Sequence, residues 1–480
     1  MMLGWSTSND GDVSGNHGGR DYWLAKLNKT GKIVWQKCYG GSSNELAYDI
    51  VRTRDNCYAI VGMTFSNDGD ITGYHDGLDT WVIKVDSLGT ILWQSCIGGT
   101  ADDIEKSIKQ TSDGGYILCG CTNSTDNEID GNHGLYDAWV VKLDGAGKVE
   151  WQKCYGGTNN DFGNSIFQTR DGGYVFAGNT FSNDGDVSGN HGYSDSWIVR
   201  LNSTGEIMWQ KCLGGSQLDN ALSMDLTTDG GYILGGYSGS EDGDVTGAHG
   251  NADCWVVKLD SVGTIQWQKC YGGSLDDETE AIRQTRDGGY ISAGWTHSND
   301  GDVTNFISSS DYWVFKLSDS GAIEWQKCFG GNKVEEAKSI TQTSDSGYIV
   351  VGFTGSEDGD IKGNHGYNDA WLIKLSSITG IEEIAEYSDM LLIPNPATDF
   401  IEISVGTRRA VSYQSDVRIY NVFGQNCNLT PTLSILGDGE YKQGSDTPAS
   451  GGYVRIDVSG LASGMYFVRM GDRVGKFVKL

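Results

Sequence analysis

Three residue series that recur at one fixed step predict an all-β fold, a seven-bladed β-propeller. The first is Trp-Gln-Lys-Cys, once Trp-Gln-Ser-Cys, beginning at Trp35, Trp93, Trp151, Trp209, Trp267 and Trp325, with 58 residues per step. The second, Asp-x-Trp, sets Trp23, Trp81, Trp139, Trp197, Trp255, Trp313 and Trp371 on the same step. The third gives Tyr58, Tyr116, Tyr174, Tyr232, Tyr290 and Tyr348. Phased markers of this kind are the signature of a repeat architecture.

Within one repeat, 161 to 212, four segments rich in β-branched and aromatic residues read as strands: DFGNSIFQT, GYVFAGNTF, DSWIVRL and EIMWQKCLG, here called a, b, c and d. RDGG between a and b, and NSTG between c and d, are short turns that force antiparallel neighbours. A four-stranded meander cannot bury both faces alone. Stacking copies radially buries them and leaves only short edges.

Strands b and c occur seven times, a and d six times. Gly4 falls 58 residues before Gly62, so the first blade is expected to be truncated, beginning in strand b. Its strand a and a signal peptide are expected upstream of Met1, because MMLGWSTSND lacks the basic start, apolar run and small-residue site of a secretory signal. SSITGIEEIAEY stands where the last strand d belongs, with Ile381 and Ile384 as its degenerate remnant. Residues 1–385 are expected to form the propeller and 386–480 a second domain, with a linker at 376–388 that overlaps the last blade.

Composition narrows the classes of partner. Glycine contributes 70 of 480 residues and proline only 4, so the glycines serve turns rather than collagen or disorder. The 35 basic and 64 acidic residues leave a net charge of -29, which repels nucleic acid and anionic membrane faces. No apolar run reaches the roughly 18 residues that a membrane-spanning helix needs. Six of the 11 cysteines belong to the first series and take equivalent places in successive blades. That spacing is too wide for the 4.4–6.8 Å Cα separation of a disulfide, so they read as small buried apolar residues.

Two stretches resemble known families. DAWVVKLDGAGKVEWQKCYGGTNNDFGNSIFQTRDGGYVFAGNT is similar to the bacterial β-propeller repeat, which implies the fold and no single activity. After residue 388 the period stops, and LLIPNPATDFIEISV, VRIYNVFGQ and YVRIDVSGLASGMYFVRMGDRVGKFVKL alternate as strands of a small Ig-like antiparallel β-sandwich. These segments resemble the type A carboxy-terminal sorting domain of type IX secretion. Asn395 and Pro396 fit its opening motif, Gly424 its central turn, Leu461, Gly464 and Tyr466 its Leu-x-x-Gly-x-Tyr element, and Lys476 its basic last strand. The resemblance implies a Gram-negative host, the type IX machinery as a partner, and a protein released or held at the outer cell surface.

The longest loop of each repeat joins b to c and carries SNDGDVSGNHG or a variant. Its acidic pairs are Asp10 and Asp12, Asp68 and Asp70, Asp126 and Glu128, Asp184 and Asp186, Asp242 and Asp244, Asp300 and Asp302, and Asp358 and Asp360. Six of the seven histidines, His17, His75, His133, His191, His249 and His365, lie in these loops. Oxygen-rich loops bent by glycine suit calcium, although the spacing is not that of an EF-hand. The alternative is that Asn-Asp-Gly-Asp forms Asx turns whose carboxylates cap backbone amides. One histidine per blade is too dispersed for a zinc cluster.

Strand direction places the b–c loops beside the d–a loops, such as YGGTNND, at one end of the ring. Seven similar copies there point to noncatalytic binding or adhesion toward a glycan or protein, through many weak contacts. The competing reading is a secreted enzyme, either a glycan-acting hydrolase or lyase or a quinone-dependent dehydrogenase. LNKTGKIVW resembles the Thr-Gly-x-x-x-Trp turn of quinone-cofactor propellers, but the adjacent cysteine pair common in them is missing, and the Asp box of sialidases is incomplete. An enzyme would draw on residues that break the repeat, such as Cys119 with Cys121, Cys254, His297 and Phe306 to Ser310.

Overall fold

Each repeat folds as its residue pattern dictates, and the recurring tryptophans and tyrosines are contacts within and between sheets. In the computed structural model, residues 1–126, 129, 131–376, 392–393, 400–406, 417–421, 434–435, 451–470 and 473–479 are described. Contacts divide the chain into two units, Met1–Leu375 and Ser376–Leu480.

The first unit holds seven antiparallel sheets, and the chain is a seven-bladed propeller built from repeats of about 58 residues. Blade 1 has three strands, Met2–Ser6, Asp21–Leu27 and Ile33–Tyr39, which are b, c and d. Blade 2 is complete: Glu45–Arg52, Tyr58–Thr64, Asp79–Val85 and Ile91–Ile97 follow one another as a to d. Blades 3 to 6 repeat it over 103–155, 161–213, 219–271 and 277–329. Blade 7 comprises Glu335–Gln342, Tyr348–Thr354 and Asp369–Leu375, which are a, b and c. The stretch with Ile381 and Ile384 lies outside the described residues.

The three aromatic series make two kinds of contact. Trp81, Trp139, Trp197 and Trp313 of strand c are fully buried, and a buried indole N–H needs an acceptor. It finds one in the Gln of the neighbouring strand d: Trp81 donates to Gln94 at 3.0 Å, Trp139 to Gln152 at 3.1 Å and Trp313 to Gln326 at 2.8 Å. This explains Gln in Trp-Gln-Lys-Cys. The Trp of strand d lies across the Tyr of strand b in the next blade, with Trp93–Tyr116 at 5.6 Å and Trp151–Tyr174 at 5.7 Å between centroids. Edge contacts of this type join blade to blade. Met2, Trp23, Ala25 and Cys38 of blade 1 pack with Val351 and Leu372 of blade 7, which closes the ring.

Strands a of successive blades pack against one another, so they form the innermost layer. In all six copies the register slips after the third residue, between Ala47 and Asp49 in blade 2 and between Glu105 and Ser107 in blade 3, for example. The residue left out of register is Tyr48, Lys106, Asn164, Leu222, Glu280 or Lys338. Cys38, Cys154, Cys212, Cys270 and Cys328 are buried, as expected of small apolar residues.

The second unit contains two antiparallel sheets. Leu392–Ile393, Phe400–Gly406, Gly451–Asp457 and Ser434–Ile435 make one, and Val417–Asn421, Gly464–Met470 and Arg473–Lys479 the other. Tyr466 is buried and its hydroxyl donates to the carbonyl of Ala462 at 2.9 Å, so the Leu-x-x-Gly-x-Tyr element closes its own turn. Leu461 lies in that turn, Gly464 starts the following strand, and Lys476 pairs with Phe467 in register. Asn395, Pro396 and Gly424 lie outside the described residues. Among the described residues there is no helix, and none long and apolar enough to cross a membrane.

Truncating Trp139 to alanine removes a fully buried indole and the hydrogen bond it donates to the Gln152 side-chain oxygen. The expected loss is about 3–5 kcal/mol, read as a lower urea midpoint. Tyr367→Ala, at a position 98% exposed, is expected to stay within about 0.5 kcal/mol of the parent.

Candidate functional site

Hydrogen bonds place the b–c and d–a loops on the same end of the ring and fasten one to the other. Oδ1 of the first aspartate in the b–c loop accepts from an amide of the d–a loop: Ser42 to Asp68 at 2.7 Å, Thr100 to Asp126 at 2.9 Å, and Thr158 to Asp184 at 2.8 Å. Asp242 receives Ser216 at 2.7 Å, Asp300 receives Ser274 at 2.7 Å, and Asp358 receives Asn332 at 2.9 Å. These main-chain bonds hold the carboxyls of Asp68, Asp184 and Asp300 below the usual range. Asp70, Asp186, Asp244, Asp302 and Asp360 each have Oδ2 at 3.3 or 3.4 Å from a glycine amide. In blade 1, Asp10 and Asp12 are exposed. Capping thus occupies the first carboxylate of each loop in blades 2 to 7. Glu128 lies outside the described residues.

The histidines are not brought together; each is tied to its own blade. Nδ1 of His17, His133 and His191 lies 2.6 Å from Oδ2 of Asp21, Asp137 and Asp195. His75 and Asp79 are 3.0 Å apart, His365 and Asp369 2.9 Å, and His249 and Asp253 3.6 Å. The main-chain N–H of the same histidine donates to the same oxygen, at 2.9 Å in His17 and 3.1 Å in His191. In blade 6 the Ile307 amide replaces it, 2.7 Å from Asp311. The imidazoles remain 36–66% exposed while the aspartates, except Asp369, are sealed.

Those aspartates belong to buried carboxylate pairs that the sequence reading passed over. Oδ1 of Asp21, Asp79, Asp137, Asp195, Asp253 and Asp311 is buried without a hydrogen-bond partner. Facing it is the carboxylate that opens the next strand a: Glu45, Asp103, Asp161, Asp219, Asp277 or Glu335. That second group accepts from the second glycine of the d–a loop, Gly41 to Glu45 at 2.8 Å and Gly99 to Asp103 at 2.7 Å, for instance. Both members of a pair crowd the first glycine. A Cβ on Gly40, Gly98, Gly156, Gly272 or Gly330 would come within 3.0 Å of oxygens from both. Burial, with repulsion from the partner, pushes Asp103, Asp253 and Asp311 up to about 6. The available signal was a carboxylate at both positions in every repeat.

A second locus missed in the sequence is the inner layer. A β-bulge re-aims a side chain, and bulges concentrate next to functional sites. Here the bulged residue varies from blade to blade, five residue types in six copies, while the Trp, Gln and Tyr markers of strands b to d recur. Bulged residues also meet their neighbours. Lys106 donates to Asn164 at 3.1 Å, Asn164 to the Ala221 carbonyl at 2.9 Å, and Lys338 pairs with both Glu280 and Glu336. Lys109 joins Asp49 at 2.6 Å and lies 5.3 Å from the Phe167 ring. Two blades on, burial and the Glu280 and Glu336 carboxylates push Glu278 up to about 8. The inner layer therefore carries lysines over aromatic rings in blades 3 and 4 and carboxylates in blades 6 and 7.

The remaining irregular residues offer little chemistry. Cys119, Cys121 and Cys254 are buried, and burial pushes their thiols up, to about 12 for Cys121, opposite to what a nucleophile needs. His297 stacks 4.8 Å from Trp295, and Phe306 packs into the core of blade 6. Among the described residues no three of His, Cys, Asp and Glu converge as a metal site.

Residues 391–479 match the family model of a secretion system C-terminal sorting domain. The chain is 24% identical over 239 residues to the regulatory protein FlaEY of Caulobacter vibrioides, a match covering 45% of this chain and 25% of that protein. It thus spans a quarter of that relative's length. Among solved structures, Sqt1 from Chaetomium thermophilum is 10% identical, with 91% of this chain and 96% of that one covered and a TM-score of 0.36. The PQQ domain of pyranose dehydrogenase from Coprinopsis cinerea is 10% identical, covering 68% and 92%, with a TM-score of 0.32. A luciferin-regenerating enzyme is 8% identical, covering 68% and 90%, with a TM-score of 0.35. Similarity at this level says nothing of what the chain binds or turns over. The sorting domain does assign location: the protein is secreted or displayed at the outer surface through type IX secretion.

Removing residues from about 389 onward is expected to trap the propeller in the periplasm, measured by immunoblot of cell fractions; normal surface export of that deletion would contradict the assignment. The carboxylate pairs add a pH signature. Their folded-state pKa lies above the unfolded value of roughly 3.9, so the folded protein holds more protons between about pH 4 and 6. The pairs therefore cost stability that grows as pH rises through that window. Asp55, Asp113 and Asp229, held at about 2, act only at lower pH. In chelated buffer the melting temperature is expected to be higher at pH 5 than at pH 7, with a smaller difference in Asp103→Asn.

Proposed function

We propose that this exported propeller acts in noncatalytic binding or adhesion through its loop face, in a multivalent manner. The observation that carries the reading is repetition: the same aspartate-held histidine stands exposed at six of seven b–c loops, one to a blade. The neighbouring loop aspartates are engaged by main-chain amides instead of being assembled with a nucleophile or base. Catalysis asks for one asymmetric, preorganised cluster. A ring of equivalent weak sites instead gains strength from simultaneous engagement by one extended ligand or surface.

The Asp pairs of these loops remain candidates for calcium, and the enzyme alternative retains the irregular inner layer as its place. The two functional readings separate cleanly by mutation. Histidine replacement, one blade at a time, is expected to weaken adhesion of the purified full chain to immobilised polysaccharide or matrix protein in graded steps. Turnover of a glycan or alcohol that one substitution at Lys106, Glu278 or His297 abolishes would instead establish an enzyme.

A further inference from the structure

We propose that the loop rim carries glycan subsites, formed in blades 4 and 7 by an aspartate-held imidazole and the exposed tyrosine two residues after it. The inference rests on the loop face being a binding surface, and it narrows the ligand to neutral, hydroxyl-rich chains.

Blade 4 shows the arrangement most fully. His191 has Nδ1 at 2.6 Å and its main-chain N–H at 3.1 Å from the same Asp195 oxygen, which fixes the ring and turns Nε2 away from the protein. Tyr193 is 65% exposed, and its ring is held edge-on by Phe181 at 5.5 Å and 82°. Between them Gly192 lies flush on the backbone of Ser216, where a Cβ would collide. The subsite is thus seated on the next blade's d–a loop and cannot slide. Blade 7 repeats the pair with His365 and Tyr367.

The chemistry selects sugars. An imidazole anchored through one nitrogen offers the other to a hydroxyl, and a fixed aromatic face covers the C–H side of a pyranose while its edge stays wet. The net charge of -29 disfavours anionic polymers. A stable protein interface needs roughly 800 Å² from each partner with a desolvated centre. Here the two exposed tyrosines stand singly, in blades 4 and 7. Two such subsites on one rim suit a repeating chain that touches both at once.

The test is an array of neutral polysaccharides (mannan, xylan, β-glucan) with alginate and a basic protein, lysozyme, as further arms, probed with the full chain. Binding to a neutral glycan is expected to fall about tenfold or more in Tyr193→Ser/Tyr367→Ser and to persist in Tyr193→Phe/Tyr367→Phe. Both positions are exposed, so the variants should melt with the parent. Binding only to alginate or lysozyme, lost on histidine replacement, would overturn the glycan inference and leave the loop-face reading standing. Neutral-glycan binding that ignores the tyrosines but vanishes in Lys106→Met would move the site to the inner layer and refute both. So would failure to bind any probe.

Discussion

A carboxylate sealed against a glycine at the six junctions from blade 1 to blade 7 is the constraint on which the loop face depends. Burying an ionised carboxyl costs several kcal/mol unless donors surround it. The group that opens strand a obtains them from the second glycine amide, as Asp161 does from Gly157 at 2.8 Å, and from nearby hydroxyls, Thr180 and Ser182. Its partner, Asp137, receives the His133 ring and amide on one oxygen and nothing on the other. The first glycine follows necessarily, since any side chain at Gly156 would strike both acids. So does the histidine, as the donor that makes Asp137 tolerable. The exposed rim is therefore a by-product of an interior electrostatic problem solved the same way at each blade.

Much of this was legible in the sequence because the markers are contacts. Period-58 tryptophans and tyrosines predicted the blade, and each proved to be an indole–glutamine bond or an aromatic edge contact between neighbours. The loop aspartates allowed two readings, and their main-chain partners show what the first of each pair does. The carboxylate pairs were not legible for a physical reason. Asp137 and Asp161 are 24 residues apart and meet only because the d–a turn folds back, which no local pattern records.

The bulge in strand a escaped notice for a different reason. One extra residue shifts the alternation by one, so DFGNSIFQ reads as a poorly patterned strand when it is two well-patterned halves about Asn164. The Leu-x-x-Gly-x-Tyr element was recognised by resemblance, and its meaning is simple: the tyrosine hydroxyl ties the turn to Ala462.

The repeats stay alike wherever they touch one another and differ where strand a is left out of register. At the interfaces the same neighbour recurs, so one residue solves the contact for all blades. In the inner layer no such requirement operates, and Tyr48, Lys106, Asn164, Leu222, Glu280 and Lys338 include aromatic, cationic, amide, aliphatic and acidic side chains. The molecule accordingly presents two kinds of surface. A rim of copies can discriminate ligands only by number and spacing, whereas a lining without symmetry can discriminate by identity. A propeller bound through its rim to a repetitive surface would still hold that lining beside it, with lysines near Phe162 and Phe167 on one side and Glu278 and Glu336 on the other. Such a lining, cationic over rings in one sector and acidic in another, is where a ligand can be read by identity rather than by spacing.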